Sequence, residues 1–112
     1  MEIKTLTVEE VMLVELAGEV DANTAPIIQE KVLPLTLPGN KILIDLSKVP
    51  YMSSTGLRML LSLYRRTNAQ DGKLVLVGLS EEIQDIMSVT GFLDFFMTSE
   101  TLESGLLLMA NG

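Results

Sequence analysis

The stretch from residue 42 to residue 58 reads Ile42-Leu43-Ile44-Asp45-Leu46-Ser47-Lys48-Val49-Pro50-Tyr51-Met52-Ser53-Ser54-Thr55-Gly56-Leu57-Arg58. Together with Lys41 before it, the apolar run that begins this stretch is typical of a strand over residues 41–46 that is buried on both faces of a parallel sheet. A polar loop is predicted from Ser47 to Thr55, and the apolar residues after it recur at helical spacing. The loop should therefore lie at the carboxyl end of a buried strand, where open α/β sheets usually carry their functional sites.

The residues before this stretch predict a β-hairpin and a helix. Two β-rich runs, residues 3–8 and 11–16, flank the polar pair Glu9-Glu10, a pattern that favours a hairpin. Asn23 or Thr24 is expected to cap the next helix, with Pro26 in its first turn, where a missing N–H costs little.

The residues after the stretch predict two further strands, each followed by a helix. Residues 73–77 form a second buried run, and Ser80 is a favourable N-cap for a helix that ends at Gly91. Residues 95–97 are expected to form a short edge strand, with Thr98 or Ser99 as the cap of the last helix.

The predicted order is β-β-α-β-α-β-α-β-α, so most strands are joined by helical crossovers, which makes them parallel, while the hairpin adds an antiparallel edge. The chain has 112 residues, of which 47% are apolar, enough to build one core and too few for two domains. We therefore expect a single α/β domain over residues 1–112, with a mixed, mostly parallel sheet and about four helices mainly on one face.

Composition excludes several function classes. The 15 acidic and 8 basic residues give a net charge of -7, which disfavours direct binding to nucleic acids or anionic membranes. Cysteine and histidine are absent, which removes thiol chemistry, the commonest general base and the commonest transition-metal ligand. We find no signal-peptide pattern and no apolar stretch near the ~20 residues of a membrane span, so a cytoplasmic protein is expected.

Three adjacent hydroxyl residues, Ser53, Ser54 and Thr55, precede the central helix. A hydroxyl at this position can cap the helix, worth ~1 kcal/mol. A phosphate there would meet free backbone N–H groups and the positive end of the helix dipole. Both interpretations of Ser54, as a helix cap and as a phosphorylation site, stay open on physical grounds, and one residue can serve both.

The segments Asp45-Leu46-Ser47 and Met52-Ser53-Ser54-Thr55-Gly56-Leu57 resemble the signature of STAS domains of the anti-sigma factor antagonist type. In that family the serine two places before the glycine is the phosphoacceptor, which corresponds to Ser54. The position before it is Ser53, where many members carry Asp and others Ser. The segments Leu16–Asp21 and Thr24-Ala25-Pro26 are similar to family landmarks further upstream, and the resemblance extends over essentially the whole chain.

The resemblance implies a regulator rather than an enzyme. Its unphosphorylated form would bind an anti-sigma factor, usually a serine kinase of the histidine-kinase-like ATPase fold, and so free the sigma factor. Phosphorylation at Ser54 would weaken that complex, and a PP2C-type phosphatase would restore it. The alternative is a STAS interaction module in a kinase and phosphatase switch that controls no sigma factor. The expected partner-binding residues are Asp21, Ser53, Ser54, Thr55, Gly56 and Arg58.

Other sites are less well supported by the residues. A response-regulator receiver would need an acidic pair after its first strand, whereas Glu9-Glu10 lies in the predicted turn. A serine hydrolase of the nucleophile-elbow type would need a glycine at Met52 and a histidine base. Asp45 is expected to cap or orient the loop, and Arg58 either to pair with a phosphate or to be solvated. No catalytic residue, metal site or cofactor is expected.

Overall fold

A β-hairpin opens the fold in the computed structural model, which describes residues 1–110. Strands β1 (Glu2–Val8) and β2 (Val11–Ala17) pair antiparallel, with Val8 opposite Val11. Glu9 and Glu10 form the turn with φ values of 51° and 67°. Positive φ at both turn residues gives the twist that two-residue hairpins require, so the strand pairing on either side imposes a conformation that glutamate seldom adopts alone.

Three parallel strands extend this hairpin into one sheet. They are β3 (Lys41–Lys48), β4 (Lys73–Val77) and β5 (Met97–Ser99), and the spatial order β1-β2-β3-β4-β5 follows the chain. Strand β2 pairs parallel with β3, as do β3 with β4 and β4 with β5. The predicted mixed, mostly parallel sheet with an antiparallel N-terminal edge is confirmed.

Within residues 1–110, four α-helices connect or follow the strands: α1 (Ala25–Val32), α2 (Ser54–Ala69), α3 (Glu81–Thr90) and α4 (Leu102–Ala110). Short 3-10 turns at Leu33–Leu35 and Phe92–Phe95 complete the connections. The order of strands and α-helices is the one that the sequence predicts.

The sheet has an apolar core on each face. Ile42, Ile44 and Leu46 of β3 join the larger core with buried residues of α1, α2 and α3. Leu43 points to the opposite face, where a smaller core includes Met109 of α4. Because side chains alternate across a strand, this arrangement explains the continuous apolar run of β3. Three helices cover one face and one covers the other, as expected of helices mainly on one face.

The structure corrects several predicted boundaries. Strand β3 continues through Ser47 to Lys48, so the predicted loop from Ser47 to Thr55 shortens to residues 49–53. Residues 92–95 form a 3-10 turn after Gly91, whose φ is 81°. The last strand is displaced accordingly to Met97–Ser99, so Thr98 and Ser99 are strand residues and cannot cap α4. Thr101 takes that role, because its Oγ1 accepts a hydrogen bond from the Ser104 N–H at 3.1 Å.

Candidate functional site

Ser53 is the N-cap of α2, and Ser54 is the first residue of the helix. The Ser53 backbone is extended, with φ -79° and ψ 170°, and its Oγ accepts a hydrogen bond from the Gly56 N–H at 3.2 Å. Of the two interpretations of Ser54, the one as a helix cap is therefore wrong. The extended backbone that an N-cap requires falls one residue earlier, and this leaves capping to Ser53.

The three hydroxyl residues differ in environment. Ser53 is half-buried with its oxygen engaged by the helix cap, while Ser54 and Thr55 are exposed on the first turn of α2. The Ser53 backbone is also fixed, because its N–H donates to the Val20 carbonyl at 2.8 Å and its carbonyl accepts from the Leu57 N–H at 3.0 Å. Ser54 thus presents an accessible hydroxyl beside a firmly anchored neighbour.

Val20 joins the loop that precedes α2 to the segment that follows β2. Its N–H donates to the Tyr51 carbonyl at 3.0 Å, and it forms an isolated parallel bridge with Met52. Val20 is 0% exposed, so this connection lies in the core. The pairing carries the neighbouring residue, Asp21, to the same edge of the sheet as Ser53.

Gly56 is buried against Val20 and Met52. A Cβ built on Gly56 would lie 2.8 Å from Val20 Cγ1, 3.0 Å from the Val20 carbonyl oxygen and 2.9 Å from Met52 Cγ. Contacts this short require a residue with no side chain. Gly56 therefore supports the site from beneath through close packing, rather than as part of its exposed surface.

Asp21 organises the turn before α1. Its Oδ1 accepts hydrogen bonds from the N–H groups of Asn23 at 2.9 Å and Thr24 at 3.1 Å. Thr24 occupies the N-cap position of α1, and its Oγ1 accepts from the Asp21 N–H at 2.9 Å. The Asp21 carboxylate therefore has a structural role, since it satisfies two backbone donors. Its role in partner binding stays a prediction.

Arg58 and Asp45 lie on either side of the loop. Arg58 is exposed on α2, four residues after Ser54 and therefore on the same side of the helix. Asp45 is half-buried in β3, and its Oδ1 accepts from the Ser47 N–H at 2.9 Å, so this bond lies within the end of the strand rather than in the loop that Asp45 was expected to cap or orient. Within residues 1–110 no group of three or more potential ligands could hold a metal ion.

Two residues of this region were missed from the sequence. Val20 lies in a polar turn, where a single apolar residue gives no periodic signal, although it connects both halves of the site. Tyr51 is 49% exposed in the loop before Ser53. An exposed aromatic residue beside a candidate interface is a recognisable signal, because aromatic side chains are enriched where proteins bind each other.

Comparison with known proteins gives a consistent result. A family model described as STAS domain matches residues 2–105. The anti-sigma-B factor antagonist of Bacillus subtilis is 37% identical over 92 residues, which cover 82% of this chain and 84% of that protein. The protein of the same name from Staphylococcus epidermidis is 31% identical over 104 residues, covering 92% of this chain and 96% of that one.

Solved structures show the same fold. An anti-sigma factor antagonist from Thermotoga maritima, described as putative, superposes with a TM-score of 0.85 at 18% identity, covering 93% of this chain and 91% of that one. The phosphorylated form of SpoIIAA, a Bacillus cell fate determinant, superposes with a TM-score of 0.72 at 20% identity, covering 96% and 99%. Within residues 1–110, no helix is both long and apolar enough to cross a membrane.

Proposed function

Because the chain belongs to the STAS domain family, we propose that it is an anti-sigma factor antagonist, as its curated relatives are named. The unphosphorylated form binds an anti-sigma factor in the cytoplasm and thereby releases a sigma factor. The partner is a serine kinase of the histidine-kinase-like ATPase fold, and a PP2C-type phosphatase opposes it. The chain acts as binder and phosphoacceptor and catalyses no reaction itself.

The observation that carries this proposal is the contrast between Ser53 and Ser54. A kinase needs a hydroxyl that enters its active site without dismantling the substrate's fold. Ser54 is exposed on the first turn of α2, whereas the Ser53 oxygen is committed to the Gly56 N–H. Modification of Ser53 would remove a helix cap, while modification of Ser54 leaves that cap in place.

The chemistry requires nothing from this chain except the Ser54 hydroxyl. The Ser54 Oγ attacks the γ-phosphorus of ATP held by the kinase, an O–P bond forms, and ADP leaves. A kinase base takes the hydroxyl proton. In the reverse branch, water activated by the phosphatase cleaves the O–P bond and releases inorganic phosphate, which regenerates Ser54.

A phosphate on Ser54 would leave the fold intact and act on the interface. It adds about -1.5 to -2 charges, and at the first turn of α2 it meets the positive end of the helix dipole, which favours it by roughly 0.3–1 kcal/mol. In the complex the same charge must be desolvated against the partner, and this cost is large unless the interface compensates it with well-placed opposite charge and hydrogen bonds. The free domain therefore tolerates a modification that the complex does not.

Phosphosite mapping tests this proposal. The kinase is recovered from the host by affinity to the Ser54→Ala variant, then incubated with ATP and the wild-type chain, and the product is mapped by mass spectrometry. We expect phosphate on Ser54, with Ser53→Ala and Thr55→Ala as matched controls that are still modified. Phosphate mainly on Ser53 or Thr55 would move the site, and none on any of the three would contradict the proposal.

A reconstituted complex distinguishes the alternative function. If the recovered kinase also binds a sigma factor, and wild-type chain displaces that factor while Ser54→Asp does not, the antagonist role is supported. A kinase that modifies Ser54 but binds no sigma factor would instead indicate a STAS module in a switch outside sigma control.

A further inference from the structure

The charges of this acidic chain are unevenly distributed between its helices. All three arginines of the sequence, Arg58, Arg65 and Arg66, lie on α2, and α2 contains no carboxylate. Helix α3 shows the opposite pattern, with Glu81, Glu82 and Asp85 and no basic residue. Helix α2 is thus a locally basic element on a chain whose net charge is -7.

The three arginines, which we name the arginine stripe, are all exposed. Arg58 and Arg65 are seven residues apart, which is about two helical turns and about 10 Å along the axis, so they lie almost in line. Arg66 is also exposed, but it lies about 100° further round the helix, at the flank of this line. The buried residues Leu57, Leu60 and Leu63 occupy the other side. No residue of α2 can neutralise the stripe from within the helix.

We propose that the arginine stripe is a docking surface for an acidic segment of the anti-sigma factor. Guanidinium groups bind carboxylates through two parallel hydrogen bonds, and the spacing of Arg58 and Arg65 suits carboxylates about two helical turns apart on a partner helix. A protein segment fits better than a nucleic acid. An extended polyanion would be repelled by the negative charge that surrounds the stripe, whereas a short acidic segment would contact the arginines alone. This inference rests on the proposed function.

The position of the stripe also connects it to the switch. Ser54 lies one turn before Arg58 on the same side of α2, at the spacing at which helical side chains meet. A phosphate on Ser54 would pair with Arg58 and would carry negative charge into the path of the acidic segment. Phosphorylation would therefore weaken docking by competing for one end of the stripe.

A peptide experiment tests the surface without the natural partner. A twelve-residue glutamate peptide is titrated at low ionic strength into the isotope-labelled chain, and amide chemical shifts are followed by NMR. We expect changes centred on the exposed side of α2, lost in Arg65→Glu and kept in Lys31→Glu, which makes the same charge reversal at an exposed residue of α1. Arg65 is used rather than Arg66 because it lies almost in line with Arg58. Lys31 lies in the last turn of α1, where a cation stabilises the helix, so melting curves establish that both variants are folded.

Three results of this titration would overturn the inference: shifts away from α2, no shifts at all, or tighter binding of a twelve-nucleotide oligo-dT than of the peptide. The last would indicate a nucleic-acid surface. The free chain could instead self-associate in a concentration-dependent way that Arg65→Glu abolishes. That result would indicate that the stripe binds the acidic α3 of a second copy.

Affinity for the recovered anti-sigma factor completes the test. Arg65→Glu should raise the Kd about tenfold, mainly through slower association, and should reduce the salt dependence, while Lys31→Glu changes the Kd less than about twofold. Equal affinities of the two variants would contradict the proposed docking role of the stripe. The proposed function would still hold if Ser54→Asp binds weakly in the same assay. If the wild-type chain binds no anti-sigma factor, the proposed function fails, and the peptide titration alone decides the stripe.

Discussion

At the scale of single residues, Ser53 and Ser54 divide two tasks that the sequence places together. Ser53 Oγ caps α2 through the Gly56 N–H, and the Ser53 N–H is bonded to the Val20 carbonyl. These bonds hold the start of α2, whatever is attached to the next residue. A charge placed on Ser54 is therefore expected to leave the helix that presents it unchanged.

Replacement of Ser54 should separate binding from stability. Ser54→Asp places a carboxylate at the positive end of α2, which is neutral or mildly stabilising, but weakens binding to the anti-sigma factor. Ser54→Ala should bind and resist phosphorylation, and it loses no cap because Ser53 provides it. Calorimetric titration and a melting curve for each variant measure the two effects. If both variants fold and bind equally tightly, charge at this position is not the switch.

Two substitutions can separate the structural role of Asp21 from its predicted role in recognition. Asp21→Ala removes the acceptor of the Asn23 and Thr24 N–H groups and should cost about 0.5–2 kcal/mol of unfolding free energy. Asp21→Asn keeps an acceptor oxygen, so its stability should stay close to wild type while its charge is lost. Urea unfolding measures the first effect, and affinity for the anti-sigma factor measures the second. Wild-type affinity of a folded Asp21→Asn would show that the charge has no part in recognition.

At the scale of elements, the start of α2 is positioned by the segment that follows β2. The bridge between Val20 and Met52 continues the parallel pairing of β2 and β3 beyond their ends, and Gly56 allows α2 to approach it. The candidate site therefore depends on two segments that are about thirty residues apart in sequence.

The sign of the change in unfolding free energy caused by Gly56→Ala tests this close approach. At an exposed helix position the same change would stabilise by up to about 1 kcal/mol. Here the new methyl group would meet Val20 Cγ1 and the Val20 carbonyl oxygen, so we expect destabilisation of about 1–3 kcal/mol from overpacking. Urea unfolding provides the measurement, with Ser62→Ala on the exposed side of α2 as the control. A stabilised Gly56→Ala would show that α2 does not pack this closely on Val20.

Helix α4 has a different support. Its last turn is held by two lysines at the start of neighbouring strands: Lys41 Nζ donates to the Met109 carbonyl at 3.0 Å, and Lys73 Nζ donates to the Leu108 carbonyl at 3.4 Å. Cations near the C-terminal end of a helix complement its dipole. The half-buried lysines at the starts of β3 and β4 thereby fix the helix that covers the second face of the sheet.

At the scale of the whole molecule, the two cores are joined through the same strands. Leu43 lies in the smaller core and Ile44 in the larger one, although they are consecutive in β3. Strand β4 likewise contributes Val75 to the smaller core and Leu76 to the larger. Because neither core can lose β3 or β4 without disrupting the other, the domain should unfold as one unit.

Leu43→Ala and Ile44→Ala should each lower the unfolding free energy by about 2–5 kcal/mol, as expected for a cavity in a packed core. For both variants we expect a single urea transition that coincides by circular dichroism and by tyrosine fluorescence. Tyr64 reports on the larger core, where its ring packs edge-on against Phe96 at 5.5 Å. Leu43→Ala could instead show an early transition that is seen by circular dichroism but not by tyrosine fluorescence. That result would show that the α4 face unfolds separately.

The sequence by itself determined the order of the elements and the class of sheet, because both follow from local periodicity. Each signal depends on only a few neighbouring residues: the apolar run of β3, the hairpin pattern around Glu9-Glu10 and the glycine after α3. The sequence also indicated Ser54 and Asp21 as candidate site residues, because its short ordered motifs resemble those of a known family. Local periodicity is enough for the first conclusion, and short sequence motifs are enough for the second.

Only the tertiary structure decided which hydroxyl caps α2 and why residue 56 is glycine. Both answers depend on Val20, which reaches the loop before α2 through a parallel bridge between distant segments. The shift of the last strand to Met97–Ser99 depends likewise on where it pairs with β4. Contacts between residues far apart in sequence leave no periodic signal along the chain, because the energy of packing and hydrogen bonding is set by positions in space rather than by neighbours in sequence.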